Sequence, residues 1–261
     1  MSPAAGEVAL VTGAGSGIGA ATAVELADRG AAVALLDRSA EGAASTAARI
    51  RERDGTAVVV AADVTDDGAV ARAVETAERE LGPLSTVVAA AGVEMPGTVA
   101  EISLEDWRLA LDVNLTGVFL TARHTVPRLV EHGGGAFTAV SSDVGFRGSE
   151  GEIAYSAAKH GVVGLVRCLA IDHGRQGVRA NAVCPGFVAT PMADRLLGTD
   201  GDRSAYERTI PLGRFAQPQQ IAKVIAHLCS QEASHTNGMV YIADGGASAG
   251  FFTGEAPASG P

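Results

Sequence analysis

The chain has 261 residues, enough for one large domain or two small ones, and its 47% apolar and 19% charged residues exclude global disorder. Its 33 glycines follow no triplet period, which excludes a collagen-like chain. A formal net charge of −10 repels nucleic acid and anionic membrane at long range, so neither is expected as a partner.

In chain order, the first bounded apolar run is Val8–Thr12, which reads as a strand. It leads into Thr12-Gly-Ala-Gly-Ser-Gly-Ile-Gly19 and then a helical pattern over Gly17–Arg29. Glycines in such a turn permit positive φ and let backbone approach a ligand with no Cβ between. The helix start that follows offers free N–H groups and partial positive charge, which suits a pyrophosphate. A second strand, Ala32–Asp37, ends in an acid about 20 residues further on, placed to accept hydrogen bonds from an adenine ribose and to repel a 2′-phosphate. Arg38 beside it is the residue type that would hold a 2′-phosphate, yet the turn offers Ser16 and no basic side chain. NAD is therefore expected ahead of NADP.

A helix over Ala40–Arg53, a strand over Thr56–Ala61 and a helix over Asp66–Leu81 follow, with Asp63 closing the strand. The next strand, Thr86–Ala89, runs into Ala90-Ala-Gly92 and, further on, a long helical stretch over Leu104–Val130. Trp107 lies there with Leu104, Leu111 and Leu115 and is expected to pack in a core. A fifth strand, Ala136–Ser141, precedes a helix over Tyr155–Gln176, and a sixth, Arg179–Cys184, precedes a partly helical segment over Phe187–Leu212 that reads as a lid. Met239–Asp244 makes a seventh strand, and Thr253–Pro261 reads as a loose tail. Strands apolar on both faces and separated by helices call for one doubly wound α/β domain, with about seven mostly parallel strands and helices on both sides. That domain is expected to span residues 1–252 and the flexible tail residues 253–261.

Chemistry concentrates at Tyr155-Ser-Ala-Ala-Lys159, in a chain with only three tyrosines and two lysines. Four residues apart on a helix, the two side chains share a face. Lowering a phenol pKa by roughly 2–3 units takes about 3–4 kcal/mol. An ammonium about 4 Å away contributes roughly 4 kcal/mol at an effective dielectric near 20. One lysine is thus the right size of perturbation, and Tyr155 is expected to have a lowered pKa.

The ordered set formed by the glycine turn, Asp63-Val64, Asn114 in Asp112-Val-Asn-Leu-Thr-Gly117, Ser142, Tyr155/Lys159 and Pro185-Gly186 with Thr190 resembles the short-chain dehydrogenase/reductase family, over roughly Glu7–Gly250. The resemblance implies a Rossmann-like fold and interconversion of a secondary alcohol and a ketone. In that reading Tyr155 transfers the proton, and Lys159 tunes it and holds the nicotinamide ribose. Ser142 steadies the substrate oxygen, while Asn114, mid-helix, holds a water that continues the proton path. Ser141 is expected to face the opposite side of its strand. Asn114 has an alternative as the N-cap of a second helix, and Asp63 as a turn former. The cofactor is expected against Gly13, Ser16, Gly17, Ile18, Gly19, Asp37, Arg38, Asp63, Val64, Ala90, Gly92, Tyr155, Lys159, Pro185, Gly186, Val188 and Thr190. One departure stands out: Ala90 occupies the place of the family's usual asparagine before Ala-Gly, which puts the rigidity of that wall in question.

Phe146, Arg147, Ser149, Glu150 and Glu152 precede the tyrosine and are expected to line a substrate pocket suited to a small polar alcohol or ketone; a solvated loop or subunit contact is the alternative. Other readings of the chain are an NADPH-dependent biosynthetic ketoreductase and a non-catalytic nucleotide sensor. Six histidines and three scattered cysteines, Cys168, Cys184 and Cys229, show no metal or redox spacing, so no metal is expected. The cysteines suit a reducing compartment. Met1–Glu7 lacks the regions of a signal peptide, and no apolar run approaches the roughly 20 residues of a membrane span. A cytoplasmic protein is expected, and the resemblance suggests a homotetramer.

Overall fold

The computed structural model describes residues 7–197 and 200–252; the expected tail at 253–261 lies outside them. Seven parallel strands, β1 (Val8–Thr12), β2 (Ala32–Asp37), β3 (Ala57–Ala61), β4 (Thr86–Ala89), β5 (Gly135–Val140), β6 (Val178–Pro185) and β7 (Val240–Ala243), form one sheet in the order β3-β2-β1-β4-β5-β6-β7. β1 sits between β2 and β4, with Leu10 opposite Ala34 on one side and Val87 on the other. The chain reverses its direction of winding there, and such a switch point opens a crevice at the carboxyl ends of the strands.

Helices cover both faces because the central strands are apolar on both. On one face, Val24 and Leu26 of α1 (Gly17–Asp28) lie over β1 and β2, Ile50 of α2 (Ala40–Arg51) over β2 and β3, and Ile221, Ile225 and Leu228 of α9 (Pro218–Cys229) over β5 and β6 and against α1. On the other, Val74 of α3 (Asp67–Leu81), Leu129 of α5 (Gly117–Glu131) and Val162 and Val166 of α6 (Ile153–His173) close over Leu10, Val87 and Phe137.

Several boundaries differ from the sequence expectation. The long stretch from Leu104 to Glu131 is two α-helices, α4 (Leu104–Leu111) and α5, joined by a π-helical turn at Asp112–Thr116. Trp107 is half-buried and Leu104 is exposed, so this face is not core within the chain. The segment after β6 contains α7 (Pro191–Leu197) and α8 (Asp200–Glu207). Helix α9 was not among the expected elements, although Pro218 at its first turn and the Ile221/Ile225/Leu228 spacing are a start signal and an apolar stripe. The Gln220 side chain accepts from the Gln217 N–H at 2.9 Å and fixes its start. No helix among the described residues is long and apolar enough to cross a membrane.

Candidate active site

A cavity of about 420 Å³ runs along the carboxyl ends of the strands, from the glycine turn to the start of α6. At one end the turn after β1 packs against neighbouring backbone too closely for side chains. A Cβ on Gly13 would meet Ala91 backbone at 2.8 Å, and one on Gly19 would meet the Gly13 carbonyl oxygen at 2.1 Å. Ser16, in extended conformation, precedes α1 without capping it through its side chain. The first-turn N–H groups therefore remain open for an anion. Asp37 at the end of β2 accepts from Gly15 N–H and from Ser39 N–H, both at 2.8 Å, so its carboxylate is pinned at the mouth of the turn. This cradle fits the pyrophosphate and adenine ribose of a dinucleotide. Asp63 Oδ1 accepts from the Thr65 N–H and hydroxyl, so the turn-forming reading of Asp63 holds while the residue still lines the cavity.

The wall without the family's asparagine is held another way. The Thr12 hydroxyl accepts from Ala90 N–H at 3.1 Å and Ala91 N–H at 3.2 Å, tying β1 to the segment after β4. Buried Asn114, in the π-helical turn, adds a second clamp. Its side chain accepts from Val93 N–H and donates to Val93 and Ala110 carbonyls at 2.8 and 2.9 Å. Asn114 is neither an N-cap nor part of the cavity lining, and both its amide protons are occupied within the chain.

At the other end, Tyr155, Lys159 and Ser142 meet. β5 stops at Val140, so both serines lie just past the strand. Ser141 turns inward and donates to the Lys159 carbonyl at 2.9 Å, whereas the Ser142 side chain lies against Tyr155 and donates to Asp143. The Lys159 Nζ donates to the Val140 carbonyl at 2.9 Å and lies 5.3 Å from the Tyr155 ring centroid. Burial lowers the Lys159 pKa to about 8, opposed by Cys184 and Glu94.

The direction at Tyr155 corrects the sequence expectation. Its pKa is raised, by burial first, then by the negative fields of Glu94, Glu152 and Asp143; only contact with Ser142 opposes this. A lysine four residues away favours a lowered pKa, but the fold also places three carboxylates around the phenol. The phenol in this structure is a held proton.

All the residues expected to bind cofactor line this cavity, together with Ser142; buried Asn114 stands behind it. Of the expected substrate residues, Arg147, Ser149 and Glu152 line it, while Phe146 and Glu150 do not. Sequence reasoning missed Glu94, Asp143 and Arg195, which also line it. Asp143 was legible as the neighbour of Ser142, and Glu94 as an acid two residues beyond Gly92.

A family model described as enoyl-(acyl carrier protein) reductase matches residues 13–248. The chain is 42% identical to a cis-4-hydroxycyclohexanecarboxylate dehydrogenase of Sinomonas cyclohexanicum, over 92% of this chain and 95% of the relative. It is 40% identical to a D-threitol dehydrogenase of Mycolicibacterium smegmatis, over 92% of each. Among solved structures, a candidate NAD(P)-dependent gluconate 5-dehydrogenase of Beutenbergia cavernae, with NADP bound at low occupancy, superposes with a TM-score of 0.90 at 35% identity, covering 95% of this chain and 99% of its own.

Proposed function

The chain belongs to the short-chain dehydrogenase/reductase family, and on that premise we propose that it is an NAD(H)-dependent oxidoreductase interconverting a small polar secondary alcohol and its ketone. The observation that carries this reading is one cavity with a dinucleotide cradle at one end and Tyr155, Ser142 and Lys159 at the other. When bound, the nicotinamide supplies or accepts the hydride, and its oxidised ring brings a positive charge to a site rich in carboxylates.

The chain's own residues manage the proton and the developing charge. In ketone reduction Tyr155 gives its hydroxyl proton to the carbonyl oxygen as the carbon gains hydride; in oxidation the tyrosinate takes the carbinol proton. Ser142 turns its hydroxyl from Asp143 to the substrate oxygen. Asp143 keeps Arg147 and the Val144 N–H as partners when it does so. Lys159 has three donors and spends one on Val140, which leaves two for the ribose and the tyrosine oxygen. Asn114 positions the Gly92–Val93 wall, and beside its π-helical turn we place the water that continues the proton path.

Asp37 at the cradle mouth supports NAD, since it sets a fixed negative charge where a 2′-phosphate would lie. The NADP-bound neighbour and Arg38 beside Asp37 support the second reading, an NADPH-dependent reductase. Buried, unpaired Cys184 and Cys229 fit the reducing cytoplasm in which we place the protein. An absorbance screen at the reduced nicotinamide band, with varied alcohols and ketones and both cofactors, tests the proposal. Turnover with NAD(H) preferred is expected. No change with any substrate favours a nucleotide sensor, and preference for NADPH favours the second reading.

A further inference from the structure

Glu94 lines the reaction cavity, and among the described residues no side chain or backbone group satisfies its carboxylate. Asp37 is held by two backbone N–H groups, Asp143 by Arg147 and Val144, and Glu152 by Ser149. Among the described residues no hydrogen bond or ion pair holds the half-buried Glu94 carboxylate, although it lines the same cavity as Tyr155 and Ser142. A carboxylate taken partly out of water without a partner is costly, and burial together with the Glu152 charge raises its pKa to about 7, opposed by Lys159.

Its placement is fixed from both sides. Asn114 clamps Val93 through both its N–H and its carbonyl. Three residues beyond Glu94, Gly97 donates to the Gly151 carbonyl at 2.6 Å and pairs with Glu152 in an isolated parallel bridge. The segment carrying Glu94 is thereby stapled to the turn that leads into Tyr155. Glu94 is therefore a preorganised, unpaired acceptor facing the space where the substrate must lie.

We propose that Glu94, backed by Glu152, sets substrate choice by accepting a hydrogen bond from a second donor group, a hydroxyl or a protonated amine, carried near the reacting carbinol, and by turning away substrates that bear a carboxylate. The proposal rests on the oxidoreductase reading of the same cavity. A site built around a polar partner rejects the analogue lacking it far better than an apolar pocket does, because the site's own polar group is left unpaired. Arg147 is engaged by Asp143 and offsets the Glu152 charge only in part, since the Glu152 pKa stays raised. The charged and titratable groups facing Glu94 are Glu152, Lys159 and Tyr155, so a bound ammonium relieves repulsion that a bound carboxylate adds to.

The test compares kcat/KM for 2,3-butanediol, 1-amino-2-propanol, 2-butanol and 3-hydroxybutyrate in wild type and Glu94→Gln, with equilibrium titration of the same compounds into the enzyme–NADH complex. Wild type is expected to favour the diol or the amino alcohol over 2-butanol, and Glu94→Gln to cut that preference by about 10- to 100-fold, the range of a charge-assisted hydrogen bond. The wild-type preference for either donor grows as pH rises through about 7, because the ionised carboxylate is the stronger acceptor, and it grows more steeply for the amine, which gains an ion pair as well. An unchanged preference in the variant, or wild type taking 3-hydroxybutyrate as well as the diol, overturns the proposal. Should no alcohol turn over while binding keeps its Glu94 dependence, the recognition stands and the redox reading fails.

Discussion

Two acids that border the cavity differ in how the chain satisfies them, and that difference governs what each can do. Asp37 is fixed by Gly15 and Ser39, and in the proposed reading it would discriminate between cofactors by position and charge. Asp37→Ala should lower the ratio of kcat/KM for NAD over NADP by about tenfold or more, the size of one lost charged hydrogen bond; an unaltered ratio would remove Asp37 from cofactor choice. Glu94, by contrast, is a destabilising charge. Its folded pKa of about 7 lies above the carboxylate reference of 4.5, so the native state holds its proton more tightly than the unfolded chain. Stability is therefore lost as pH rises from about 4.5 to 7, and the full penalty applies above that window. Glu94→Gln should stabilise the protein by roughly 1–2 kcal/mol at pH 8 and by almost nothing at pH 4, as read from denaturant melts. Equal effects at both pH values would contradict the burial argument.

At the scale of elements, the alternation of buried strands and amphipathic helices made the sheet legible, because each strand had to be apolar on both faces. Strand ends were legible to within a residue or two. Less legible was the interruption inside Leu104–Glu131, since a π-helical turn leaves the apolar periodicity nearly intact and shows itself only in where Asn114 points. Helix α9 carries its own apolar stripe behind Pro218, but the turn at Gln231–Ala233 and the loop beyond it set it apart from β7, so it stands outside the regular strand–helix alternation. The replacement of the wall's asparagine by Ala90 was visible in sequence, but its compensation was not: Thr12 and Asn114 act from 78 and 21 residues away. Thr12→Val should therefore lose about 1–3 kcal/mol, because two N–H groups are left without an acceptor. It should also weaken NADH binding, measured by fluorescence titration; full stability would mean that Thr12 does not hold this wall.

Across the whole molecule, the candidate proton-transfer residues were legible because residue type and spacing alone bring Tyr155 and Lys159 to one face. The electrostatic balance around them was not legible. Glu94, Asp143 and Glu152 come together only when β4, β5 and the start of α6 are side by side. Apolar residues also remain on outer surfaces, with Leu104, Phe119 and Ile171 exposed along α4, α5 and α6 and Tyr241 and Ile242 along edge strand β7. Uncovered apolar faces of this kind, together with an unpaired sheet edge, favour association, and we propose a homotetramer built on them. Light scattering should give about 105 kDa, four times the 26.3 kDa chain; a monomer mass at micromolar concentration would rule the assembly out. In the proposed reaction this cavity moves a proton through Tyr155 while hydride moves to or from a nicotinamide. Steady-state turnover of wild type and Tyr155→Phe on the best substrate, with NADH affinity measured in both, decides whether it does. A loss of at least about 10²- to 10⁴-fold in kcat with NADH affinity retained is expected; a variant turning over at near wild-type rates would rule out proton transfer by Tyr155.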